Sequence, residues 1–193
     1  MIDLCNKGFC IFGVRGSGKS TLVKSILDST ASHLVYDPLD EYEGYRRYIP
    51  SDRQSTEELN TVINDLVIPR RPSLFIVDEA NKYVTPKPHA LPSGAADLND
   101  LARHWNIACG WVARRMTQFN TDIVELANHV FIFKLSGKND WAYLENLHQG
   151  LGDAVRNLKP YEFMSLSNGS DMQLHAPVDL PKNAVHTGVT VKV

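Results

Sequence analysis

Gly13-Val14-Arg15-Gly16-Ser17-Gly18-Lys19-Ser20 fits the pattern G-x-x-x-x-G-K-[ST], and no other stretch constrains the fold as tightly. The pattern needs a strand before it and a helix after it. Both are legible: Phe9 to Phe12 is an apolar run of strand length, and Leu22, Val23, Ile26 and Leu27 recur at helical spacing. Gly13, Gly16 and Gly18 let successive backbone N–H groups turn toward a polyphosphate, and the helix N-terminus adds partial positive charge. Lys19 reaches the outer phosphates, the Ser20 hydroxyl is a candidate Mg²⁺ ligand, and Ser17 and Thr21 belong to the same nucleotide-binding set. Arg15 is either a phosphate contact in cis or a solvated loop cation. The expected ligand is a nucleoside triphosphate, read as ATP with Mg²⁺.

At 193 residues the chain has room for one α/β domain with a full core, but not for a motor and a second enzyme domain. A formal net charge of -2 excludes a globally basic nucleic-acid binder and leaves a focal basic patch, or a ring with a basic pore. Cys5, Cys10 and Cys109 are an odd number and form no C-x-x-C pair, so they read as small core residues in a reducing compartment. No apolar run approaches a membrane span, and the N-terminus lacks the pattern of a signal peptide. A soluble protein of the cytoplasm is expected.

Along the chain, His33 to Tyr36 reads as a second strand stopped at Asp37-Pro38, followed by the acidic turn Leu39-Asp40-Glu41-Tyr42. Ser55 with Glu58 is a capping box, and Leu59, Val62, Ile63 and Leu66 extend a helix from about 56 to 67 that Pro69 and Pro72 should end. Leu74 to Val77 is an apolar strand ending at Asp78-Glu79. The proline- and glycine-rich stretch 84–96 reads as a flexible loop, and Leu98, Leu101, Ala102 and Trp105 mark an amphipathic helix with Arg103 on its polar face. Strands at 107–113 and 130–135 flank a short helix at 121–127. Residues 141–158 read as helical, and Asn168-Gly169 as the turn of a C-terminal hairpin. This alternation predicts an α/β three-layer sandwich with a mostly parallel sheet over residues 1–176 and a tail at 177–193.

A carboxylate at the tip of the 74–77 strand is suited to hold Mg²⁺ through water, and the next to polarise the water attacking the γ-phosphate. Asp78 takes the first role and Glu79 the second; the alternative is a solvated strand-to-helix turn. A GTPase would need a guanine-reading Asn-Lys-x-Asp, and Asn81-Lys82-Tyr83-Val84 lacks the aspartate. A small-molecule kinase has no use for Glu79, since an activated water would waste ATP.

The loop, Asp37-Pro38-Leu39-Asp40-Glu41-Tyr42, Ile76-Val77-Asp78-Glu79, Arg103-His104-Trp105-Asn106-Ile107 and Val130 to Leu135 together resemble the FtsK–HerA superfamily of P-loop motors, over about residues 8 to 136. Among these the chain is similar to the short genome-packaging ATPases of viruses. The resemblance implies an ASCE, RecA-like fold and ATP hydrolysis that moves double-stranded DNA. It also implies a homo-oligomeric ring, pentamer or hexamer, with a capsid vertex or portal protein as a further partner. An arginine of one subunit would complete its neighbour's site. Arg103 matches that finger by position; the alternative is a helix C-terminal cation facing the macrodipole. Where such motors often carry Ser-Gln at the end of the fourth strand, this chain has Ala113-Arg114-Arg115, so Arg114 is a candidate to replace the γ-phosphate sensor or to supply a second finger. Lys82 and Lys87, beside the proline-rich loop, are candidate DNA contacts or ordinary surface lysines. Arg46-Arg47 and Arg70-Arg71 read as solvated pairs. A Zot-like assembly or secretion factor acting on protein or membrane is the alternative to a DNA motor.

Overall fold

The computed structural model describes residues 3–169, 171–179 and 188–192. Five strands form the parallel centre: β1 (Gly8–Phe12), β2 (His33–Tyr36), β4 (Leu74–Val77), β5 (Ala108–Ala113) and β6 (His129–Phe133). Between them in sequence comes a two-residue strand, β3 (Arg47–Tyr48). The hairpin β7 (Phe163–Ser167) and β8 (Asp171–His175) pairs antiparallel onto β6, and β9 (Thr190–Val191) runs parallel to β3. The order is β8-β7-β6-β1-β5-β4-β2-β3-β9, an open sheet. β5 lies between the strand that feeds the phosphate loop and the strand that ends in Asp78-Glu79. That is the strand arrangement the resemblance to the P-loop motors implied.

Strands flanked on both sides must be apolar on both faces, and alternate residues do segregate into two layers. Cys10, Phe12, Phe75, Val77 and Trp111 face one layer, where α2 (Thr56–Val62), α4 (Ser93–Leu101), α5 (Thr121–Leu126), α6 (Lys138–Leu147) and α7 (Leu151–Arg156) pack. Phe9, Ile11, Ile76 and Val112 face the other, covered by Leu22, Val23 and Leu27 of α1 (Lys19–Asp28). At the hairpin tip Asn168 and Gly169 both have positive φ, as the Asn-Gly signal requires.

Several local expectations needed correction. The helix of α2 does not stop at Pro69. It widens into a π turn at Ile63–Val67, continues as α3 (Ile68–Arg70), and ends with Arg71 left-handed at φ 46°. The wider π turn just ahead of Pro69 accommodates a residue that has no N–H to give and whose ring would crowd a regular helix. The stretch 84–96 is loop only to Pro92, because α4 starts at Ser93; Asn120 ties it down by donating to Thr85 O at 3.0 Å. Cys5 is exposed rather than a core residue. Arg47 is buried, ion-paired to Asp37 at 3.0 Å and to Asp40 at 2.7 Å. Of the segment read as a tail, 180–187 and 193 lie outside the described residues, and Thr190–Val191 extends the sheet.

Candidate nucleotide site

The phosphate loop leaves the C-terminal end of β1 and is pinned at its base, where Val14 N donates to Lys134 O at the end of β6 (3.1 Å). Gly16 and Gly18 have φ of 74° and 110°, conformations that a side chain resists, and Gly18 is the residue from which α1 starts. Lys19 turns back across the loop, its Nζ donating to the carbonyls of Gly13 (2.8 Å) and Val14 (3.1 Å). Burial holds its pKa below the ordinary lysine value, opposed by the nearby Asp78 and Glu79 carboxylates. Ser17 Oγ is buried with no hydrogen-bond partner among the described residues. Arg15 stands exposed at the tip of the loop and Thr21 is half-buried in the first turn of α1.

The acidic turn after β2 reaches the same place. Asp37, fully buried, accepts the N–H groups of Glu41 (3.0 Å) and Tyr42 (2.9 Å) as well as the Arg47 guanidinium. Those bonds fix the turn so that Glu41 Oε2 accepts from Ser20 Oγ at 2.9 Å. Sequence reasoning marked this turn only as part of a resemblance and gave Glu41 no role. The spacing of Asp37 to two N–H groups four and five residues on was the signal available.

At the tip of β4, Asp78 accepts the N–H of Glu79 (2.8 Å), and Glu79 adopts a left-handed φ of 49°. Its Oε1 receives two bonds from Arg114, from Nε at 2.8 Å and from the second guanidinium nitrogen at 2.7 Å. Arg114, at the tip of β5, therefore belongs to the site of its own chain. Arg115 does not join it: it pairs with the buried Asp140 of α6 at 3.0 Å. Lys82 is half-buried in a single turn after Glu79, and Lys87 is committed to Asp122 at 2.6 Å.

Arg103 is elsewhere. It is exposed on the short turn Ala102–Trp105, ahead of the N-terminal end of β5, whereas the phosphate loop follows the C-terminal end of the adjacent, parallel β1. Six residues of strand separate the two levels, roughly 20 Å. It cannot serve the site of its own chain. A cavity of about 940 Å³ shares no residue with the loop either; it lies under α1 among Leu4, Leu22, Ile26, Phe131, Phe163 and His175. Chemistry rather than volume marks the site.

Among the described residues no cluster of three or more His, Cys, Asp or Glu side chains stands ready to hold a metal alone. Mg²⁺ takes one or two protein oxygens and relies on phosphates and water for the rest. Ser20 and Asp78 are the residues fitted to supply them. Burial, together with the neighbouring carboxylates of Glu79 and Glu41, pushes the Asp78 carboxyl up to about 7. Its unfolded value is near 3.8, so between about pH 4 and 7 the unfolded chain releases this proton and the metal-free fold does not. The fold loses stability across that window as pH rises, by at most on the order of 4 kcal/mol. Asp78→Asn should therefore raise the melting temperature of metal-free protein at about pH 8 and leave it near native at about pH 4. Equal melting of the two proteins at both pH values would contradict this.

Residues 1–169 match the family described as Helicase HerA, central domain. The chain belongs to this family. No curated protein matches it by sequence. Among solved structures, this family member resembles the genome-packaging NTPase B204 of Sulfolobus turreted icosahedral virus 2, solved with AMPPCP, at TM-score 0.77 and 17% identity, over 90% of this chain and 98% of that one. It also resembles VirB4 of Thermoanaerobacter pseudethanolicus (TM-score 0.64, 11% identity, 94% and 93% covered). The N-terminal domain of zonular occludens toxin from Neisseria meningitidis is more distant (TM-score 0.57, 10% identity, 89% and 94% covered). These likenesses, all below 25% identity, show a shared P-loop ATPase fold.

Proposed function

We propose that this HerA-family chain is a Mg²⁺-dependent ATPase whose hydrolysis drives translocation of double-stranded DNA, packaging a viral genome into a preformed capsid. The observation that carries the hydrolytic part is the Asp78-Glu79 tip, one strand removed from the phosphate loop, with Arg114 on the Glu79 carboxylate. Lys19 and the loop N–H groups bind the phosphates, and Ser20 and Asp78 would hold Mg²⁺, which would supply positive charge beside the phosphoryl oxygens. Glu79 takes the proton of the attacking water, and Arg103 supplies its guanidinium to the site of a neighbouring subunit in a ring. Lys82 and Lys87 line the DNA path, Lys87 after giving up Asp122. A capsid vertex or portal protein is the docking partner, in the host cytoplasm or on the virion.

The likeness to the packaging NTPase, over 90% of this chain and 98% of that one, supports packaging. The test is steady-state ATP turnover with and without duplex DNA on an oligomer of known size. Stimulation by duplex that weakens steeply with salt is expected. No stimulation by duplex in a verified oligomer would sink the DNA reading. It would favour the second one, a nucleotide-gated assembly or secretion factor, which the likeness to the occludens-toxin domain keeps in play. No helix among the described residues is long and apolar enough to cross a membrane.

A further inference from the structure

The residues assigned so far deal with the phosphates and the metal and leave the nucleoside end of the ligand without a partner. Strand order dictates where that end lies. Asp78, Glu79 and Arg114 occupy the tips of β4 and β5, on one side of β1, so the terminal phosphate points that way. The sugar and base must then leave toward β6 and β7, on the other side. There the turn between α7 and β7 brings Tyr161 against the phosphate loop: a carbon built on Gly18 Cα would lie 3.5 Å from Tyr161 Cδ1 and 3.0 Å from Phe133 Cε1. Tyr161 is 58% exposed, and it is the sole aromatic among the large, exposed apolar side chains of the described residues.

The turn that carries the ring is held in place. Lys159 N donates to Glu162 Oε2 (2.9 Å) and Glu162 N to Lys159 O (3.2 Å), closing the turn around Tyr161. Lys134, whose carbonyl pins Val14, also sends its Nζ to Leu158 O (3.3 Å), so loop and turn share one anchor. Phe133 and Phe163 pack beneath with ring centroids 4.9 Å apart. Tyr161 itself sits at φ 66°, a conformation unfavourable for a bulky residue, which the turn nonetheless imposes.

We propose that Tyr161 is the base-stacking residue of this chain, its exposed ring carrying the nucleobase of the bound nucleotide. The proposal rests on the nucleotide-site reading above. An aromatic face recognises ring area rather than a hydrogen-bond pattern, so the site discriminates purine from pyrimidine triphosphates more than it discriminates ATP from GTP.

Calorimetric titration with a non-hydrolysable ATP analogue and with inorganic tripolyphosphate, both with Mg²⁺, separates base from phosphate binding. Tyr161→Ala should weaken the ATP analogue by about tenfold or more and change tripolyphosphate by less than about twofold, whereas Tyr161→Phe should bind both like the native chain. Native affinity of Tyr161→Ala for the ATP analogue would overturn the stacking role alone. So would an equal loss for both ligands, because the ring would then only support the loop. A native chain that takes up neither ligand would remove the nucleotide site and this proposal with it.

Discussion

Glu79→Gln is expected to bind an ATP analogue with native affinity while steady-state hydrolysis falls by about 10²–10⁴-fold, the range for loss of a general base. Glu79 is buried and held by Arg114 through Oε1 alone, which leaves Oε2 available to accept a proton from water. Glutamine keeps an oxygen for Arg114 and nearly the same shape, but its amide nitrogen accepts no proton. Binding and turnover should therefore separate cleanly, with phosphate release as the rate measurement and calorimetry as the affinity measurement. Turnover near the native rate would remove Glu79 from the chemistry and return Asp78-Glu79 to a structural strand tip. The same substitution distinguishes Glu79 from Arg114, because loss of the arginine perturbs the position of the base rather than its ability to take a proton.

The second large effect is expected at Arg103. An arginine finger is worth about 10³–10⁵ in turnover, whereas a cation near a helix C-terminus contributes only about 0.3–1 kcal/mol of stability. Arg103→Ala should thus leave melting temperature and nucleotide affinity close to native and abolish most hydrolysis. Because Arg103 lies at the opposite end of the sheet from the loop, the deficit must be made up from another chain. Mixing Arg103→Ala chains with Glu79→Gln chains should recover activity, since the second variant brings an intact Arg103 to the first variant's intact site. A failure at every mixing ratio would falsify the trans role, and a loss of stability without a loss of rate would assign Arg103 to the helix end.

These two predictions draw on different layers of information. Glu79 was legible because a strand tip two acids long, placed after a phosphate loop, is a local pattern, and local patterns survive in one dimension. Arg103 was legible only as a position in a resemblance, and the sheet then showed which end of the strand it occupies. Arg114 and Arg115 look equivalent in sequence. They are sorted by what the neighbouring elements present to them, Glu79 across to β4 in one case and Asp140 on α6 in the other. Arg47 read as a solvated cation because its partners, Asp37 and Asp40, become neighbours only when the turn after β2 closes. Pro69 misled in the opposite direction: a rule about regular helices ended an element that a π turn carried past it.

By itself, then, the sequence determined the phosphate loop from Gly13 to Ser20, the strands on either side of the core and the carboxylate pair, because glycine placement and apolar periodicity act through the backbone within a few residues. The tertiary structure decided which side chains meet. It put β5 between β1 and β4, Glu41 on Ser20, Arg114 on Glu79 and Tyr161 against Gly18. Each of those contacts joins residues from separate elements, and a hydrogen bond or ring contact a few ångströms long is set by how strands are ordered and helices packed, which no spacing along the chain encodes.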